Sequence, residues 1–156
     1  MDKKYWLVKT EPTVFSIEDL KKNENKTTFW DGVRNYQARN YMRDDMKKGD
    51  FVLFYHSNTE NPAVVGYCKV VKEGYPDFTA FDPDSKHYDA KSKKENPAWY
   101  MVDIKLEQVF KKPVLLNDIK SDPLLKNMKL VQKGNRLSVM PVTEKEFGII
   151  LEKSGK

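Results

Sequence analysis

Ala63-Val64-Val65-Gly66-Tyr67-Cys68-Lys69-Val70-Val71 decides the fold class of this chain. Its β-branched and aromatic content reads as a strand, and Gly74-Tyr75-Pro76 bounds it, because proline stops regular pairing. A glycine inside a strand marks a bulge or a close backbone approach, as expected where a sheet curls, and Gly66 occupies that place.

Upstream, Lys48-Gly49-Asp50 signals a turn and Phe51–Tyr55 a second strand. Tyr5–Lys9 opens the fold as a strand that ends at Thr10-Glu11-Pro12. Ser16–Leu20 reads as a short helix with Ser16 as its N-cap, and a helix from Tyr36 to Met46 would turn Ala38, Met42 and Met46 to the core. Downstream, 77–98 is a long, charged, aperiodic loop of the kind that is usually functional or mobile. Trp99–Leu106 alternates like a strand, with Val109-Phe110 extending it, and Val114–Ile119 reads as a short helix or turn. Arg136–Met140 is a final strand stopped by Pro141, and Thr143-Glu144-Lys145-Glu146 is a capping box opening the last helix. Short alternating strands without a regular βαβ rhythm argue against a doubly wound sheet. The expectation is an α+β fold: a curled, mostly antiparallel β-barrel of about five to six strands with peripheral short helices.

The 156 residues suit one domain, 1–156, with a well-solvated surface, 33% of the residues being charged. Apolar runs are strand-sized, so no membrane association is expected, and Met1-Asp2-Lys3-Lys4 leads into no apolar leader segment. Cys68 is the single cysteine, so an internal disulfide is impossible and a reducing compartment is expected: cytoplasmic, or nuclear in a eukaryote. A net charge of +5 favours polyanionic partners, and from Glu107 to Lys156 ten basic side chains face six acidic ones.

Trp30-Asp31-Gly32-Val33-Arg34-Asn35-Tyr36-Gln37-Ala38-Arg39-Asn40 is the second stretch that stands out. The sequence has four arginines, and Arg34, Arg39 and Arg43 fall in or just after it. Concentrating arginine in a lysine-rich chain points to a need for a planar, bidentate donor. Catalysis has little to work with. His56 and Ser57 are strand neighbours pointing to opposite faces, His87 lies in the long loop, and neither a phosphate-cradling glycine loop nor a metal-ligand set is present. Base recognition fits better: Trp30, Tyr36, Tyr55 and Trp99 can stack, and Asn35, Glu11, Asp31 and Ser57 can read a base edge. Arg34, Arg39, Arg43, Lys133 and Arg136 can hold phosphates.

The chain resembles the EVE domain family. Trp6–Pro12, Phe15–Leu20, Trp30–Asn40, Gly49-Asp50, Phe54–Ser57, Val71–Asp77, Asn96-Pro97 with Trp99, and Arg136–Val139 carry the resemblance, in order along the chain. Thr10 stands where the family commonly has serine. The resemblance implies a PUA-like barrel and a non-catalytic reader that takes a modified base, such as a modified cytosine, into an aromatic-lined pocket. Carried onto this sequence, the pocket candidates are Lys9, Thr10, Glu11, Trp30, Arg34, Asn35, Tyr36, Tyr55, His56, Ser57 and Trp99; the chemistry of the residues adds Asp31 to the base pocket and puts Arg39, Arg43, Lys133 and Arg136 on phosphates. The expected partner is DNA or RNA carrying a modified base, with no cofactor or metal, bound by a monomer. Two other readings stand beside it: an enzyme on modified nucleotides using His56, and a protein-interaction module using the basic C-terminal surface.

Overall fold

Tyr5–Thr10, the first strand (β1), sends alternate side chains into two different cores. Trp6 and Val8 face one core and Leu7 the other, and the same division holds in β3 (Phe51–His56), where Val52 and Phe54 oppose Leu53 and Tyr55. Both faces of these central strands are therefore buried, which is why they read as continuous apolar runs. A computed structural model describes residues 3–155; Met1 and Asp2, part of the segment read above as lacking a leader, and Lys156 lie outside them.

The other strands are β2 (Thr27–Phe29), β4 (Ala63–Pro76), β5 (Tyr100–Leu115) and β6 (Val139–Val142). They form one six-stranded sheet in the order β2-β5-β4-β3-β1-β6. The β1–β3 pair is parallel and the remaining neighbours are antiparallel. The sheet is thus mixed and has two free edges, β2 and β6: the expected six mostly antiparallel strands and peripheral short helices are present, but the barrel is not closed among the described residues. Its long strands are bent by irregular pairing. Leu106 pairs with Cys68 and Gln108 with Tyr67, leaving Glu107 as an extra residue. That slip transfers β5 between cores: Ile104 and Leu106 lie in the first, Phe110 and Val114 in the second, although all four share one parity.

Gly66 bears out the close-approach reading. A Cβ there would stand 2.4 Å from the Gln108 carbonyl oxygen and from Ile17 Cδ1. Three boundaries differ from expectation. β4 runs on through Gly74-Tyr75 to Pro76, because the extended end of β5 supplies a partner for it. Pro141 lies inside β6 instead of ending it, which is tolerated because β6 is an edge strand with one unpaired side. The helix expected over Tyr36–Met46 is α-helical only in α2 (Tyr36–Asn40) and continues as a π turn, Tyr41–Asp45, with Met46 N donating to the Tyr41 carbonyl at 2.8 Å. Each four-residue step on an α-helix advances about 40°, and the wider π turn absorbs part of that drift. Ala38, Met42 and Met46 accordingly all reach the core, as the spacing predicts.

Helices cover the sheet: α1 (Ile17–Lys22) and α2 against the first core, α3 (Leu116–Ser121) and α4 (Glu144–Lys153) against the second. The capping residues read from the sequence hold. Ser16 and Asp19 exchange side-chain-to-backbone bonds at α1, as do Thr143 and Glu146 at α4. Among the described residues no helix is long and apolar enough to cross a membrane.

Candidate functional site

The sheet curls until its two edges face one another across a cavity of about 720 Å³. Thr28, Phe29 and Trp30 come from the β2 edge, Arg136 and Ser138 from the approach to β6, and Lys9, Thr10 and Ser57 from the ends of β1 and β3 between them. The opening between the sheet edges is the candidate site. Trp30 is tied to the sheet by its backbone N–H, which donates to the Val102 carbonyl at 2.8 Å, and its ring meets Phe15 and Phe54 edge to face. Trp30 and Phe15 form the apolar wall of the cavity, and Phe29 stands exposed at its rim in contact with Phe78, their ring centroids 5.1 Å apart.

The opposite wall is built around a carboxylate that the sequence reading left out. Asp77 is fully buried and accepts from Gly32 N (2.9 Å), Arg34 Nη1 (3.1 Å), Thr79 N (2.9 Å) and the Thr79 hydroxyl. Burial raises a carboxyl pKa, but these hydrogen bonds and the Arg34 charge outweigh it and hold Asp77 below the ordinary aspartate value. Arg34 also donates to the His87 carbonyl, so one guanidinium fastens the 77–98 loop to the Trp30–Tyr36 stretch. The loop is consequently ordered, with Asp82, Ser85, Asp89 and Ser92 each accepting a backbone N–H within it.

This fastening brings His87 into the cavity, with its Nε2 3.9 Å from Asp31. The imidazole occupies the space a side chain would need at Gly32. A Cβ there would fall 2.5–2.8 Å from three ring atoms, and Gly32 has φ +79, which an L side chain rarely adopts. Asp31 itself is half-buried. Burial pushes its carboxyl pKa up, the neighbouring His87 tempers the rise, and the Asp77 charge adds to it. Burial lowers the Lys9 ammonium, which lines the same cavity.

Of the base-pocket residues expected from the sequence, Lys9, Thr10, Glu11, Trp30, Asp31 and Ser57 line the cavity, together with Arg136 from the phosphate set. The others are placed elsewhere. Tyr55 lies in the second core, 3% exposed, its hydroxyl pushed up to about 12 by burial. His56 Nε2 accepts the Ile17 N–H at 3.1 Å, which anchors α1, and burial lowers its pKa. Trp99 donates its indole N–H to Asp89 at 2.6 Å and stacks against Tyr36, with the Arg34 guanidinium 5.2 Å from its ring. Asn35 caps α2 by accepting from Ala38 N at 3.0 Å. Arg39 donates to the Ala98 carbonyl and to Asn40, and Arg43 pairs with Asp44 at 2.8 Å. Lys133 lies in a neighbouring groove with Arg136.

Phe15, Gly32, His87 and Ser138 are among the lining residues that the sequence reading missed. For His87 a signal existed, since one of only two histidines lies in a loop too long to be a simple connection. Cys68 is fully buried and burial raises its thiol pKa strongly, so it is an unreactive core residue. No cluster of metal-ligating side chains occurs among the described residues.

The sequence pattern of the EVE domain matches residues 4–153. The chain belongs to the EVE domain family. Among curated EVE relatives, thymocyte nuclear protein 1 of Gallus gallus is 48% identical over 164 residues, covering 94% of this chain and 67% of the relative. Among solved structures, human THYN1 protein in complex with 5-methylcytosine containing DNA superposes with a TM-score of 0.93 at 43% identity, covering 99% of both chains. A hypothetical protein from Leishmania major has the same EVE fold, with a TM-score of 0.92 at 47% identity over 99% of this chain and 96% of that one.

Proposed function

We propose that this EVE domain is a nucleic-acid-binding reader that accepts one extruded, 5-methylcytosine-like base in the cavity between the sheet edges. The observation that carries the reading is the human relative of the same fold in complex with DNA containing 5-methylcytosine. The chemistry of the cavity supports it. An extruded base leaves its stack and needs an aromatic face in return, which Trp30 and Phe15 offer. Cytosine presents an amino donor at C4 and a carbonyl acceptor at C2. In this reading the Asp31 carboxylate accepts from the amine, Lys9 or the Ser57 hydroxyl donates to the carbonyl, and the 5-methyl group lies against the aromatic wall. Thymine carries the same methyl group but replaces the amine with an oxygen, which an ionised Asp31 repels.

Titration of otherwise identical fluorescent strands carrying 5-methylcytosine, cytosine or thymine at one position tests the reading. The expected order of affinity is 5-methylcytosine, then cytosine, then thymine. Asp31→Ala should erase the discrimination against thymine. Equal binding of all three strands by the wild-type protein would sink the reader reading. The enzymatic alternative, with His56 as acid or base, is weakened by its geometry, because the Nε2 lone pair already accepts the Ile17 N–H.

A further inference from the structure

A second, polar groove adjoins the cavity, and its chemistry differs sharply from that of the base site. It encloses about 450 Å³ between Asn35-Gln37 and the segment Lys129–Leu137, and Arg136 lines both spaces, joining them. We propose that this groove is a phosphate track, which carries the sugar–phosphate backbone of the bound strand as it leaves the base cavity. The proposal rests on the nucleic-acid reading above and deepens it by assigning the path of the strand.

The charges carry the argument. Lys129, Lys133 and Arg136 line the groove and no carboxylate does. All three are exposed, and none forms an ion pair among the described residues. The arginines of the α2 segment are differently placed. Arg39 donates to the Ala98 carbonyl and to Asn40, and Arg43 pairs with Asp44, so part of each guanidinium is engaged within the protein. In this proposal the main phosphate contacts lie on the other side of the cavity mouth from α2.

The segment is also built to hold its shape. Asn135 donates to the Lys129 carbonyl and accepts from Leu137 N at 3.0 Å, and Gln132 donates to the Lys126 carbonyl at 2.7 Å. Gly134 turns the chain with φ +82, and no atom beyond its chain neighbours lies within 4 Å of where its Cβ would be, so that side of the turn is open to a ligand. Across the groove, the side-chain Oδ1 of Asn35 accepts from Ala38 N, leaving its Nδ2 as a donor. An exposed guanidinium beside two ammonium groups and an amide donor matches a row of phosphate oxygens, and a guanidinium engages such oxygens in pairs.

The experiment uses a single fluorescent strand, plain or carrying one 5-methylcytosine, titrated by anisotropy across a salt series. Lys129→Gln/Lys133→Gln should weaken both strands by the same factor and flatten the plot of log affinity against log salt by about 1.4, or roughly 0.7 for each lost contact with a single strand. The preference for 5-methylcytosine should be unchanged. Arg39→Gln/Arg43→Gln should leave the slope near that of the wild type. A wild-type slope in the lysine double variant overturns the proposal, as does a slope lost only in the α2 variant. Groove-dependent binding without any preference for 5-methylcytosine would keep the track and remove the reader reading. Failure of the wild-type protein to bind either strand would remove both. Both lysine side chains are exposed, and unchanged thermal unfolding of the double variant confirms that its fold is intact.

Discussion

The wall of the cavity from Asp31 to Arg34 and the segment from Lys129 to Arg136 are both rich in charge, yet they handle it in opposite ways. In the first, Arg34 and Asp77 satisfy one another, and Asp31 faces His87. In the second, the three cations are exposed and without ion pairs among the described residues. Charges paired inside the protein set the shape of a cavity, because removing one partner leaves the other buried and uncompensated. Charges left to solvent contribute little to the fold and remain available to a polyanion. The cavity is thus built by internal electrostatics, while the groove offers its electrostatics to a partner.

The contrast can be broken first at Asp77. Asp77→Ala removes an acceptor of several buried hydrogen bonds and strands the Arg34 guanidinium, which should cost about 3–5 kcal/mol. Denaturant unfolding measures the loss, and faster proteolysis within 77–98 should accompany it. If the loss is small, Asp77 is not the hub of that wall. The pH dependence has a definite sign. The Asp77 pKa is depressed in the folded state, so its contribution is present above the ordinary value of 3.8 and disappears as pH falls through the lower folded value.

Gly32→Ala is next in size. The positive φ alone should cost about 1–2 kcal/mol, and the new methyl group must also displace the His87 ring. Loss of base preference at nearly wild-type salt dependence would show that the damage stays inside the cavity.

Asp31→Asn should act in the opposite direction and more weakly. Its folded pKa is raised, so the ionised form penalises the fold above that pKa, and the penalty vanishes as pH falls below the ordinary value of 3.8. The variant should therefore melt at a higher temperature than the wild type at neutral pH, with the gap closing in acid. Scanning calorimetry at two pH values checks this. The smallest effect on stability belongs to Lys129→Gln/Lys133→Gln, within about 0.5 kcal/mol as for ordinary surface changes. A large destabilisation there would erase the distinction between the two regions.

Most of the fold could be read from local pattern. The Ser16 and Thr143 capping boxes, the apolar faces of β1 and β3, the Gly66 close approach and the burial of Ala38, Met42 and Met46 all follow from short-range chemistry. The resemblance to the EVE family was equally legible, because its motif blocks recur in order. The cavity was half legible. Lys9, Thr10, Glu11, Trp30, Asp31 and Ser57 lie where a site was expected, but Tyr55, His56 and Trp99 are held by packing and hydrogen bonds that no neighbouring residue announces.

What the sequence by itself determined is which residues pair locally, which faces are apolar and which family the chain resembles. Those properties depend on spacings of a few residues. Only the tertiary structure decided that the sheet stays open, that its edges meet across a cavity, and that Arg34 serves the wall through Asp77, 43 residues away. The reason is physical. Bulges re-aim long strands by small local changes whose consequences appear only after the strands pair. A guanidinium takes its role from whichever carboxylate the folded chain brings within reach.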